Sequence, residues 1–230
     1  MLAGADGCKT GWIVVSKTAD ELKLDSCLVA GIAELFDSLD PAVLAIDIPI
    51  GLTESGAREC DILARRAIRP RGSSVFPAPI RAVMSVEIYG DANRISRECQ
   101  DRGMSKQAFA ICPKIREVDE ALRANPVLRE RVYEVHPEVT FSVWRGAAMN
   151  HSKKTQAGRA DRMRLISTHF GEDAFETVRA KHRPRDVADD DILDAFAALR
   201  TAERIANGVS RSLPEEPPFD AVGLPMRIVY

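Results

Sequence analysis

The alternation of apolar and polar positions in the first 50 residues predicts four strands and one helix. Strands are predicted for LAGADG (2–7), for GWIVVSK (11–17) and LKLDSCLVA (22–30) around a polar turn at 18–21, and for the β-branched run at 42–50. Apolar residues at helical spacing predict a helix over 32–39. Three strands, a helix and a buried fourth strand indicate an α/β fold, with a mixed sheet that carries an antiparallel hairpin on one side.

The middle of the chain has mostly helical periodicity. Helices are predicted over 57–68, 91–102 and 105–124, around a proline-rich stretch at 69–81 that excludes regular structure. We interpret residues of about 52–130 as a helical insertion after the fourth strand. A fifth strand over 131–137, helices over 138–145, 153–169 and 186–208, and a short strand over 224–230 complete the prediction of one domain spanning 1–230.

The amino-acid composition favours a globular protein over a membrane or a disulfide-rich protein. The chain has 230 residues, of which 45% are apolar, so it can bury a substantial core. We find no apolar run of roughly 18 residues for a membrane helix and no secretory signal, so no membrane association is expected. Five cysteines without CxxC spacing favour a reducing compartment, and we expect a cytoplasmic protein. A homodimer is the default expectation for its assembly.

The net charge of −2 conceals a segregated pattern. Residues 1–50 hold eight acids against three bases, residues 141–185 hold ten bases against four acids, and residues 186–230 hold nine acids against four bases. Acids that converge on a cation beside a basic surface for phosphates would give this pattern. Solvated helix faces of alternating sign would also give it.

Acids stand where predicted strands end. Asp6, Asp47 and Glu134 each lie near the end of an apolar strand, and Asp191 and Asp194 are spaced i, i+3 on the last helix. A carboxylate in an apolar strand is costly unless it is paired or holds a metal. Taken singly, these acids are also explained as turn, cap, edge-strand or helix-dipole residues.

Clustered carboxylates bind Mg²⁺ or Mn²⁺ through oxygen, and the histidines have no HExxH spacing that would favour a softer metal. Two such ions can activate water for phosphodiester hydrolysis, with Asp6 as the bridging ligand. Lys153 and Lys154 open the predicted helix over 153–169, where backbone N–H groups favour phosphate. An exposed basic turn is the alternative for these two lysines.

Six segments, taken in order, resemble the family filed as domain of unknown function 429 (DUF429), over about residues 2–229. They are GADGCKTGWIVV, AIDIPIGL, SSVFPAPIR, SKQAFAICPKIREVD, VYEVHPEVTF and DDDILDAFAAL. The resemblance implies a ribonuclease H-like fold and nuclease activity on a nucleic acid.

The order of elements is also similar to that of bacterial Holliday-junction resolvases. That similarity implies metal binding and catalysis by four acids and a basic residue near the phosphate: Asp6, Asp47, Asp191 and Asp194, with Lys154. Glu134 has no counterpart among those ligands.

Further polar residues are candidates for substrate binding: Arg81, Lys106, Glu134, His136 and Lys153. They favour a second hypothesis, in which the same scaffold binds a nucleotide or a small phosphorylated ligand without catalysis. Alternatively, the neighbouring prolines shape loops and the polar residues cap helices. A kinase-type ATPase would need a second glycine-rich loop, whereas Gly208 and Gly223 are isolated. A non-enzymatic interaction module is the third hypothesis.

Overall fold

A five-stranded mixed sheet forms the centre of the computed structural model, which describes residues 1–18 and 23–230. The predicted turn at 18–21 and the start of the predicted strand at 22–30 lie partly outside the described residues. The strands are β1 (Leu2–Cys8), β2 (Gly11–Lys17), β3 (Leu24–Val29), β4 (Val43–Ile46) and β5 (Val132–Glu134). Their order is β3-β2-β1-β4-β5, with β2 antiparallel to both neighbours and β4 and β5 parallel to β1. The predicted ribonuclease H-like sheet, mixed and flanked by helices, is confirmed.

Helices fill the remaining chain. Helix α1 (Ile32–Leu39) joins β3 to β4, as predicted. Five helices lie between β4 and β5, in the block interpreted as an insertion: α2 (Glu59–Ala67), α3 (Tyr89–Gln100), α4 (Lys106–Ala110), α5 (Cys112–Ala124) and α6 (Pro126–Arg129). Four follow β5: α7 (Pro137–Arg145), α8 (Gln156–Phe170), α9 (Ala174–Lys181) and α10 (Asp189–Ala206).

Two short strands close the fold. Strand β6 (Ser212–Leu213) pairs antiparallel with β7 (Ile228–Val229), and Val229 also bridges to Val135 beyond the end of β5. The predicted last strand over 224–230 is therefore present, although only two residues of it pair regularly with β6.

Two predicted helices have wrong bounds for local reasons, and one helix was missed. The helix predicted over 105–124 is divided at Ile111, and Pro113 lies in the first turn of α5, where its missing N–H costs no hydrogen bond. The helix predicted over 153–169 begins instead at Gln156, because the Thr155 hydroxyl caps it by accepting a hydrogen bond from the Gly158 N–H at 3.1 Å. Helix α9 was not predicted.

The two faces of the sheet have different partners. On one face, Ala3, Ala5 and Ile46 pack with residues of α1 and α5. On the other face α10 approaches so closely that a Cβ added to Gly4 would lie 2.0 Å from the Leu199 backbone nitrogen. Side chains alternate along a strand, so residue 6 lies on the α10 face with residue 4. Among the described residues, no helix has the length and apolarity needed to cross a membrane.

Candidate functional site

Two of the predicted aspartates are neighbours at the carboxyl ends of parallel strands. Ala5 of β1 pairs in register with Ile46 of β4, and the Asp47 backbone N–H donates a hydrogen bond to the Ala5 carbonyl at 3.0 Å. Asp6 and Asp47 therefore lie side by side on neighbouring strands, at the same edge of the sheet. The carboxyl ends of parallel strands are the usual place for ligand sites in open α/β sheets.

Helix α10 brings a third carboxylate to this edge. Asp194 is 2% exposed on the first turns of α10, on the side that packs against β1. Asp191 lies one turn earlier and is only partly buried, and its carboxylate accepts a hydrogen bond from the Ala188 N–H at 2.9 Å. Asp191 thus caps the helix, whereas Asp194 is directed into the site.

Lysine 153 supplies a positive charge to this acid cluster, by which we mean Asp6, Asp47 and Asp194. Its ammonium group donates a hydrogen bond to Asp194 Oδ2 and forms an ion pair with it. Although burial opposes the charged form, the nearby Asp194, Asp6 and Asp47 raise the pKa of Lys153. Lys154, the lysine chosen from the sequence, is exposed at the next position.

Burial and mutual repulsion dominate the electrostatics of the acid cluster. The pKa of Asp6 is raised well above its usual value by burial and then by Asp47 and Asp194. Burial raises the pKa of Asp47 to about 7, against the attraction of Lys153. The pKa of Asp194 is also raised to about 7, by burial and by Asp47, with Lys153 opposing. One ammonium group therefore does not offset the three carboxyls.

Glu138 is a further acid near this cluster, and it is buried. Its charge raises the pKa values of both Asp47 and Asp194, while its own carboxylate binds the Arg162 guanidinium. Within the described residues, Glu138 Oε2 and Asp194 Oδ1 are buried without a hydrogen-bond partner. Glu138 is not among the site residues predicted from the sequence. Pro137 was the informative feature, because it starts α7 directly after β5 and places the first turn of that helix beside the strand ends.

Glu134 does not join the acid cluster. It pairs in register with Ile46, so its side chain lies on the sheet face opposite that of Asp6 and Asp47. There the Arg58 guanidinium donates two hydrogen bonds to it, both at 2.7 Å, and two more to Asp61, and all three side chains are buried. Glu134 was predicted to bind substrate. In the structure it forms a buried ion pair with Arg58 instead.

The two acids bound by Arg58 also belong to a second group of potential metal ligands. Cys60, Asp61 and Glu134 each have a ligand atom within 4.8 Å of the others, and across residues 1–18 and 23–230 no other group of three or more meets that criterion. Arg58 already forms an ion pair with each of the two acids, and burial raises the pKa of the Cys60 thiol. A cation would have to displace the guanidinium, so we interpret this cluster as structural.

The other residues predicted to bind substrate do not lie together in one site. Arg81 donates to Asp119 at 2.8 Å and also to Asp220. These two ion pairs join the short helical turn at 81–83 to α5 and to the C-terminal segment. Lys106 is exposed on α4, with its ammonium 6.0 Å from the centre of the Tyr89 ring. His136 precedes α7, and burial lowers its pKa. Of these residues, only His136 is near the acid cluster, and we no longer place Arg81 or Lys106 in the site.

Most bases of the stretch at 141–185 form ion pairs with carboxylates. Six of its ten bases lie within 4.0 Å of a carboxylate oxygen: Lys153, Arg159, Arg162, Arg179, Lys181 and Arg185. The excess of positive charge seen in the sequence therefore does not form a free surface for phosphates there.

Comparison with known proteins gives one match. A family model described as "Protein of unknown function (DUF429)" matches residues 4–218, which covers most of the chain. No curated protein and no solved structure matches the chain.

Proposed function

Because the chain belongs to the DUF429 family, whose description names no activity, we propose from its own residues that it is a divalent-cation-dependent hydrolase of phosphodiester bonds in nucleic acid. The observation that carries this proposal is the convergence of Asp6, Asp47 and Asp194 at the carboxyl ends of β1 and β4. Buried acids that repel one another are retained at a cost, and a cation site is the most direct reason to retain them.

The residues fit Mg²⁺ or Mn²⁺ by their chemistry. All the donors are carboxylate oxygens, which these hard cations prefer, and Asp194 Oδ1 is buried without a partner among the described residues. Asp6, Asp47 and Asp194 would hold the cation, with Asp191 at the rim. A bound cation would supply Lewis acidity and a water of lowered pKa.

The protein's own groups would contribute acid–base and electrostatic chemistry. In the cation-free site burial raises the pKa of Asp47 to about 7, so binding of a cation near neutral pH would release a proton from Asp47. The Lys153 ammonium is held at the cluster by Asp194 and can donate to a phosphate oxygen on which charge develops. Burial of Asp6 and Asp194 excludes water and strengthens these interactions.

One observation favours the second candidate, a nucleotide-binding protein without catalysis. Among the described residues, the four predicted aspartates do not form a group with ligand atoms within 4.8 Å of one another. In that case Lys153 would act as the permanent counter-ion of the cluster and would bind the phosphate of a nucleotide.

The decisive test is cleavage of labelled single-stranded, duplex and branched DNA and RNA in Mn²⁺ or Mg²⁺. We expect cleavage of at least one substrate, and a loss of at least about 100-fold in Asp6→Asn, because the acid cluster would lose a ligand. Asp37→Asn is the matched control, since Asp37 is exposed on α1. If no substrate is cleaved, or if Asp6→Asn cleaves as well as Asp37→Asn, the hydrolase proposal is rejected.

A further inference from the structure

A groove runs between the C-terminal end of α2 and the proline-rich stretch at 69–81. It consists of two adjoining concavities of about 470 Å³ and 250 Å³. Both concavities are lined by Arg65, Ser73 and Arg102, so they form one continuous surface. We call this surface the basic groove.

Four arginines give the groove its charge. Arg65, Arg66, Arg69 and Arg102 are all exposed, and none of them lies within 4.0 Å of a carboxylate oxygen of the described residues. Asp61 is the single acid in the lining, and the buried Arg58 guanidinium holds it at 2.6 Å. The groove therefore presents an uncompensated positive charge, unlike the stretch at 141–185. Arginines of this kind bind phosphate groups through paired N–H donors.

An aromatic ring lies beside these charges. Phe76 lines the smaller concavity and is 52% exposed, and it lies between Val75, which is buried, and Pro77. Exposure of a phenylalanine ring to water is unfavourable in free energy, and contact with an apolar partner removes that exposure. A nucleobase is such a partner, because it can stack on the face of the ring. A positive groove with an exposed ring is the usual surface for single-stranded nucleic acid.

One end of the groove lies toward the acid cluster. Ser73 is in the groove lining, and the backbone of the next residue, Ser74, lies close to the His136 side chain. His136 immediately precedes α7, whose first turn carries Glu138, and the charge of Glu138 acts on Asp47 and Asp194. A strand that follows the groove past Ser74 would thus arrive beside the acids.

We propose that the basic groove binds a single-stranded segment of nucleic acid and leads it to the acid cluster. The second half of this statement rests on the proposed function, whereas binding in the groove does not require a cation or cleavage. Phosphates contact the four arginines, and a base stacks on Phe76. With about four phosphates contacted, the affinity for single strands falls with salt at a log–log slope of roughly −3.

The test is fluorescence anisotropy with a labelled 12-nucleotide oligo(dT) or oligo(rU) and the full chain in EDTA. We expect the double variant Arg66→Glu/Arg69→Glu to weaken binding at least about 10-fold at 50 mM salt and to reduce the salt slope by roughly 1.4. The matched control is Arg164→Glu/Arg183→Glu, which makes the same change in net charge at exposed residues of the 141–185 stretch. Its binding should stay within about twofold of the unmodified protein.

Phe76→Ala provides a second, independent measurement. Loss of one stacked base should weaken single-strand binding about 5- to 100-fold, with little change for a duplex of the same length. Circular dichroism melting of each variant establishes that it is folded. Equal affinities in the groove variant and its control, or a duplex bound as tightly as the single strand and insensitive to Phe76→Ala, would overturn the proposal.

The two proposals fail in distinguishable ways. Groove-dependent binding in EDTA without cleavage in Mn²⁺ would support the groove and reject the hydrolase. Cleavage that is abolished by Asp6→Asn but unchanged in the groove variants would support the hydrolase and reject the groove.

Discussion

The ammonium group of Lys153 is hydrogen-bonded to Asp194 Oδ2, at the point where α10 meets the carboxyl ends of β1 and β4. This pair joins the loop between α7 and α8 to the most buried aspartate of the acid cluster. Lys153 therefore stands where a bound cation would compete with it. The balance between this one ammonium group and three carboxylates governs the behaviour of the site.

Replacing Lys153 should reveal this competition. In Lys153→Met we expect Mn²⁺ to bind about 10-fold more tightly, because a positive charge is removed from beside the carboxylates. The same variant should be less stable in EDTA at pH 8, since Asp194 loses its ion pair. Isothermal titration calorimetry and urea unfolding measure the two effects. Lys154→Met, an exposed neighbour, should change both by much less, and equal effects at the two positions would contradict this assignment.

Asp6→Asn should stabilise the cation-free protein. The pKa of Asp6 is raised by burial and then by repulsion from Asp47 and Asp194. A neutral amide removes both costs, so we expect a gain of about 1–2 kcal/mol at pH 8 in EDTA. The stabilisation that Mn²⁺ gives the unmodified protein should disappear in the variant. Urea unfolding with EDTA or Mn²⁺ checks both parts, with Asp37→Asn as the control. A destabilised variant that still responds to Mn²⁺ would argue against the repulsive cluster.

Stability in EDTA should fall as the pH rises through 7. The pKa values of Asp47 and Asp194 are raised from 3.8 to about 7 in the folded chain, so the native state binds these protons more tightly than the unfolded state. Their contribution is complete below about pH 4 and is lost as the pH passes 7. His136 and His182, whose pKa values are lowered, act in the opposite direction through pH 6.5.

The two aspartates are isolated by comparison with Asp47→Asn/Asp194→Asn. Between pH 5.5 and 8.5 the unfolding free energy of the unmodified protein should fall by at least about 1.4 kcal/mol relative to this variant, which corresponds to one pKa unit. Parallel pH profiles for the two proteins would show that these carboxyls do not titrate with raised pKa values.

The Arg58–Glu134 ion pair should prove structural. Arg58→Met leaves Glu134 and Asp61 buried without their cation, and we expect a loss of about 3–5 kcal/mol. The double variant Arg58→Met/Glu134→Gln should lose less than the sum of the single losses, because the pair is removed together. Urea unfolding gives the energies. If this cluster held a catalytic metal, Glu134→Gln would abolish Mn²⁺ binding, whereas we expect that binding to persist in the folded variant.

Gly4→Ala should disrupt the contact that places Asp194 over the sheet. The added Cβ would lie 2.0 Å from the Leu199 backbone nitrogen and 2.4 Å from the Ala195 carbonyl oxygen, so α10 must move. We expect a loss of about 3 kcal/mol, at the upper end for overpacking, and weaker Mn²⁺ binding. Gly90→Ala on α3 meets no atom within 4 Å and should be neutral or stabilising by up to about 1 kcal/mol. Equal stabilities of the two variants would refute this packing argument.

Local patterns predicted much of the fold because they depend on neighbouring residues. The alternation in GWIVVSK gave β2 with its observed bounds, and the helical spacing in 32–39 gave α1. The predicted start of α8 was three residues too early, because Thr155, and not a residue before Lys153, caps the helix. Helix α9 was missed, since its eight residues carry a weak apolar periodicity.

For the site, the sequence determined which acids end strands and which share a face of the last helix, because both follow from strand and helix periods of two and 3.6 residues. Tertiary structure decided which of them meet. The register of β1 with β4 put Asp47 beside Asp6, whereas alternation along β5 turned Glu134 to the opposite face. Long-range ion pairs, such as that of Arg162 with Glu138, engage most bases of the 141–185 stretch. Arginines without such a pair, including Arg66 and Arg69, line the basic groove instead. Pairings between residues far apart in the chain arise only when the sheet and helices pack, so no local pattern contains them.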